Sequence, residues 1–182
     1  MGISVDAIKS LREKTGAPIG DVKTALETCR GDEAKAIDYL KRKGFEAAKQ
    51  RQGRTAKLGR VEAYVHHDGR VGALVEVNCE TDFVARLPEF QQLCLDLGMQ
   101  IASQRPRHVR KEDATPADVE EARTLGQNLE EWANEHCLLE QPFIKDQGQT
   151  IGQVVSSLVA KTGENIVVKR FVRFGLGEGA GG

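Results

Sequence analysis

The chain has 182 residues, 40% of them hydrophobic and 29% charged, with a formal net charge of -1. That length holds one ordinary domain, or a small one beside a medium one, with a real core. The near-neutral charge argues against a dedicated nucleic-acid binder, and no apolar run approaches the roughly eighteen residues of a membrane span. The opening MGISVDAIKSLREKTG is charged and lacks the apolar centre of a signal peptide, which places the protein in the cytoplasm. Cys29, Cys79, Cys94 and Cys137 show no C-x-x-C pairing, and three of them fall on apolar faces of expected elements, so they read as buried free thiols.

Residues 4–44 read as three short helices, with apolar stripes at Val5, Ile8 and Leu11, at Val22, Ala25, Leu26 and Cys29, and at Ala36, Ile37 and Leu40. Thr15-Gly16-Ala17-Pro18 and Gly31-Asp32 supply the breaks, and Gly44 closes the third helix. Residues 45–58 form a basic helical extension that becomes a linker. From Lys41 to Arg60 there are eight basic side chains against Glu46 alone, and from Glu112 to Asp146 the balance reverses. No aromatic platform or nucleic-acid motif accompanies the basic run, so it reads as a solvated face.

Val61, Ala63 and Val65 alternate as a strand, and Asp68-Gly69 turns the chain into a second strand in which Val71, Ala73, Val75 and Val77 are apolar at every other position. His66 and His67, adjacent at a strand end, point to opposite faces and form no metal site. The second strand ends near Cys79. Thr81 and Asp82 then suit the first turn of a helix, because their short oxygen side chains accept from free backbone N–H groups. Phe83 and Val84 sit at this strand-to-helix corner. Periodicity alone reads Phe83 as core, since aromatics are mostly buried, whereas a corner can also project a ring beyond the sheet.

Pro88 opens a helix carrying Phe90, Leu93, Leu97 and Ile101 to about Ser103, and Thr115-Pro116 opens another with Val119, Ala122, Leu129 and Trp132 along one side. LLEQPFIKD is irregular, Thr150 caps a helix ending at Gly163, and Ile166–Phe174 is a third strand. Residues 59–175 thus form a core domain, and the glycine-rich 176–182 is a disordered tail. No nucleophile elbow, carboxylate pair, zinc spacing or Walker loop is present, so enzyme chemistry has no carrier and no cofactor is expected. A protein that acts by binding a partner, a protein- or RNA-binding adaptor using the N-terminal helices and the basic linker, and an unrecognised enzyme remain as competing classes.

VNCETDFVAR, read with TGAPIGDVKTAL near the N-terminus, resembles translation elongation factor Ts. The likeness takes in LREKTGAPIGDVKTALETCRGDEAKAIDYLKRKG, LLEQPFIKD and GENIVVKRFVRF, from residue 3 to about 178, and is weakest over 104–135. It implies an α+β fold in which a ubiquitin-associated-like three-helix domain at 1–44 precedes an exchange core of a small antiparallel sheet packed with helices. It further implies a guanine-nucleotide exchange factor for elongation factor Tu, with no direct nucleic-acid or membrane partner. Thr81, Asp82, Phe83 and Val84 would form the exchange wedge. Leu11, Arg12, Ile19 and Gly20 would dock on the GTPase, although the family commonly carries two bulky apolar residues where this chain has Ile19 and Gly20, a cysteine at Val22 and an asparagine at Leu87. The single Thr-Asp-Phe motif resembles the short members of the family, which pair up, so a homodimer is expected.

Overall fold

The computed structural model describes residues 3–179. It divides into two compact units. A helical unit holds the described residues up to Arg54 together with Ser156–Asn165, and a sheet unit holds Thr55–Val155 and the residues from Ile166 onward. This division differs from boundaries at 44 and 58, because the third helix continues past residue 44 and residues 156–165 group with the N-terminal helices.

In the helical unit, α1 (Val5–Thr15), α2 (Ile19–Thr28) and α3 (Glu33–Arg51) enclose Leu11, Val22, Ala25, Leu26, Ala36 and Leu40. Ser4 and Asp32 cap α1 and α3 by accepting from Ala7 N–H (3.2 Å) and Lys35 N–H (3.1 Å). Gly16 ends α1 in the left-handed region at φ 65°, where a side chain would be strained. Gly44 does not close α3. It is buried inside the helix, where a Cβ would be in ordinary contact with Ala160 Cβ at 3.4 Å, so the glycine does not terminate the helix.

In the sheet unit, β1 (Leu58–Val65), β2 (Val71–Cys79) and β5 (Val167–Gly175) form an antiparallel sheet in the order β1-β2-β5. Ala73, Val75, Val77 and Cys79 face inward, and α5 (Pro88–Gln104) packs across β1 and β2 with Phe90, Leu93, Leu97 and Ile101 buried. Gly98 permits this approach, since a Cβ there would come within 2.8 Å of Tyr64 Cβ. The opposite face is apolar and open. Its cross-strand rows are Val65–Gly72–Phe174 and Ala63–Leu74–Val172, closed by Val61–Glu76–Arg170 with an ion pair at 2.7 Å. The alternating valines of β1 therefore point away from the core.

Three expectations after residue 104 are corrected. The helix expected from Pro116 through Trp132 is two helices, α6 (Pro116–Thr124) and α7 (Leu129–His136), separated at Gly126 (φ 72°) and restarted by Asn128, whose side chain accepts from Glu131 N–H at 3.0 Å. The stretch LLEQPFIKD, expected to be irregular, supplies β3 (Pro142–Phe143) and the start of β4 (Asp146–Thr150), which pair as a hairpin. Buried Gln100 of α5 fastens it, donating to Pro142 O (3.0 Å) and accepting from Ile144 N–H (2.9 Å). The final helix α8 (Ile151–Thr162) leads into β5. After β5, Leu176 and Gly177 form a turn, and Glu178 pairs with Arg173 and, at 3.6 Å, with Arg105, so the part of the expected disordered tail up to residue 179 is structured; residues 180–182 lie outside the described residues.

Candidate partner-binding site

The corner after β2 is built from Cys79 to Leu87. Thr81 stays extended (φ -128°, ψ 158°), and its hydroxyl oxygen accepts from Val84 N–H at 3.4 Å, capping the four-residue helix α4 (Asp82–Ala85). The carbonyl of Thr81 accepts from Ala85 N–H at 3.3 Å and from the Cys79 thiol at 3.1 Å. Arg86 closes the turn, its N–H donating to Asp82 O (3.2 Å) and its guanidinium to the Asp82 carboxylate (2.8 Å). Two consecutive side chains then diverge: Val84 is 6% exposed and anchors the corner, while the Phe83 ring is 78% exposed. Phe83 is not core. Val84, expected at the contact, is buried under it.

In the helical unit the turn between α1 and α2 is fixed by Gly16 N–H donating to Arg12 O (2.7 Å) and the Thr15 hydroxyl donating to Leu11 O (2.7 Å). Leu11 is 0% exposed and belongs to the three-helix core, so its side chain cannot face a partner. Ile19, by contrast, is 61% exposed at the start of α2. Arg12 is exposed, with no ion-pair partner among the described residues. Nothing lies within 4 Å of where a Cβ on Gly20 would be, so this position is open surface. The nearby Asp21 carboxylate pairs with Lys43 at 2.7 Å.

The polar cluster around Asp118 was not legible beforehand. Its buried carboxylate accepts from Thr115 N–H (2.8 Å) and hydroxyl (2.6 Å), from Arg107 (2.7 Å) and makes a 2.9 Å bond to His108 Nε2. Burial alone would raise its pKa; the hydrogen bonds from Thr115 and the charge of Arg107 outweigh that and hold it down to about 2. The Arg107 guanidinium lies 5.5 Å from the centre of the buried Trp132 ring. Burial pushes the Cys94 and Cys137 thiols up to about 12. His66 and His67 sit in the turn beyond β1 with rings 4.3 Å apart and do not point to opposite faces; among the described residues no third ligand joins them.

The α+β fold thus carries an exposed aromatic ring on a capped strand-to-helix corner and, in a separate three-helix unit, an exposed isoleucine at the start of α2. The family model described as Elongation factor TS matches residues 38–129 and 114–178. The chain is 46% identical to elongation factor Ts of Carboxydothermus hydrogenoformans, over 97% of this chain and 90% of that protein. It is 44% identical to the one from Moorella thermoacetica, over 97% of each, and 43% identical to the one from a Thermotoga species, over 98% of each. The chain belongs to the elongation factor Ts family. It is a nucleotide exchange factor of translation elongation and does not itself catalyse a chemical reaction. The adaptor reading of the basic run is not favoured by these relatives, and among the described residues no helix is long and apolar enough to cross a membrane.

Proposed function

We propose that the chain binds elongation factor Tu in its GDP form through two surfaces and loosens the nucleotide with Phe83. The observation that carries this is the 78% exposed ring on a corner whose backbone is hydrogen-bonded at both ends. A ring held out of its own core is available to wedge between helices of a GTPase domain, and burying it there is worth about 2 to 3 kcal/mol by area. The Asp82 carboxylate acts beside it. Disturbing the groups around the Mg²⁺ and phosphates weakens GDP, provided that the factor prefers the nucleotide-free state. Coupling is reciprocal, so nucleotide also expels the factor, and the GDP-to-GTP equilibrium is left unchanged.

The three-helix region, 1–44, serves as the docking module, with Arg12 and Ile19 in contact, Gly20 leaving part of that contact unfilled, and Leu11 supporting the surface from beneath. The working form is a cytoplasmic homodimer joined through the open sheet face. Val61, Val65, Leu74, Val172 and Phe174 are all exposed there, a contiguous apolar surface that a second copy covers by two-fold pairing. Two measurements test the reading. Substoichiometric protein accelerates release of labelled GDP from elongation factor Tu; an unchanged rate refutes exchange. Light scattering at micromolar concentration gives twice the chain mass; a value near 20.0 kDa refutes the dimer.

A further inference from the structure

Two groups outside the Thr-Asp-Phe-Val motif hold its geometry from either side. Upstream, buried Cys79 ends β2 and donates its thiol proton to the Thr81 carbonyl (3.1 Å), the same carbonyl that receives the Ala85 N–H (3.3 Å). One acceptor is therefore shared by the last side chain of the strand and a hydrogen bond of α4, which fixes the angle between the two elements. Downstream, Arg86 grips Asp82 twice, through its own N–H to the Asp82 carbonyl (3.2 Å) and through its guanidinium to the carboxylate (2.8 Å). Phe83 lies between these two fastenings. A four-residue helix has no stability of its own, so the direction in which the ring points is set by what holds the ends.

We propose that Cys79 and Arg86 are positioning residues of the exchange corner, Cys79 for the backbone that aims Phe83 and Arg86 for the carboxylate of Asp82. This rests on the reading of Asp82 and Phe83 given above. Neither residue needs to touch the partner. Cys79 is 0% exposed and acts through Thr81. Arg86 acts through Asp82, holding a side chain that would otherwise be ordered only on binding, which costs affinity.

GDP release from elongation factor Tu, measured at saturating and at limiting factor, tests both assignments. Cys79→Ala lowers the saturated rate about twofold, the size of a weak S–H···O bond, and Cys79→Ser, which keeps a donor, recovers most of it. Thermal unfolding is followed alongside. Equal rates for the alanine and serine variants, whatever their stability, overturn the assignment of Cys79. Arg86→Gln raises the half-saturating concentration about twofold, the size of an exposed i,i+4 pair, Arg86→Lys recovers it, and added salt removes the difference. In an Asp82→Asn background Arg86→Gln does nothing further; a persisting effect there makes Arg86 a direct contact and overturns its assignment. Phe83→Ala in the same assay separates the failures. Full activity in that variant removes the wedge and this proposal together, whereas its loss beside unchanged Cys79→Ala and Arg86→Gln removes this proposal alone.

Discussion

Asp82, Arg86 and Phe83 at the corner, and Asp118, Arg107 and Trp132 around α6 and α7, bring together the same three kinds of side chain. At the corner the ion pair is open to water, with side chains 51% and 76% exposed, and the ring stands outside. Around Asp118 the carboxylate is 3% exposed, and the ring beneath the guanidinium is wholly buried. The difference lies in how many partners the carboxylate has. Asp118 takes two bonds from Thr115 and further ones from Arg107 and His108, enough to offset removal from water, whereas Asp82 has the Arg86 guanidinium and solvent. A fully satisfied acid organises the interior; a singly held one is positioned by its one partner and still has lone pairs open to another group.

In stability, the contrast is broken most strongly at Asp118. Asp118→Asn removes the charge that accepts from Thr115, Arg107 and His108 at a buried position and lowers stability by about 2 to 3 kcal/mol in denaturant unfolding, while the exchange activity of the molecules still folded is unchanged. Phe83→Ala has the opposite profile. It costs about 2 to 4 kcal/mol in stimulated GDP release with an unaltered unfolding midpoint, and an unfolded variant or one of full activity contradicts the corner reading.

Acid sharpens the same comparison. The Asp118 carboxylate is lowered from 3.8 to about 2, so its contribution to stability is present above pH 4 and is lost as pH falls toward 2. The stability gap between the native chain and Asp118→Asn therefore narrows over that range in pH-dependent unfolding. The smallest effect is expected at Gly20, which has open space around it. Gly20→Ala stabilises the helical unit by about 0.5 to 1 kcal/mol, read from thermal unfolding. Gly20→Leu tightens partner binding by about 1 kcal/mol in calorimetry, supplying the apolar group this chain lacks.

The alternation of Val71 to Val77 disclosed β2 and its buried face, because one residue in two meets α5. The same alternation in Val61, Ala63 and Val65 disclosed a strand but not which way it faced, since periodicity reports that two faces differ and not which one is covered. Gly44 is a related case: a glycine that ends a helix and one buried inside a longer helix look alike in sequence. Leu11 stood on an apolar stripe with Val5 and Ile8, and that stripe, not its place in a docking motif, described its burial. The break between α6 and α7 was legible in Gly126 and in Asn128 with Glu131 three residues on, a capping box that went unused. The β3–β4 hairpin was not, because β3 is only two residues long, β4 is polar, and the hairpin depends on Gln100, about forty residues away in the chain. Thr81 as a helix cap followed from its chemistry, whereas the exposure of Phe83 depended on Val84 taking the inward place.

Trp132 is the only tryptophan in the chain, and it is buried between Arg107, His108 and His136. Its emission is accordingly a local witness, speaking for the α6–α7 cluster and silent about the corner at Phe83. A melt followed by fluorescence times the loss of that one cluster, while far-ultraviolet circular dichroism sums the helices of both units. Superimposed curves identify a single cooperative transition; separated ones give the order in which parts of the chain let go.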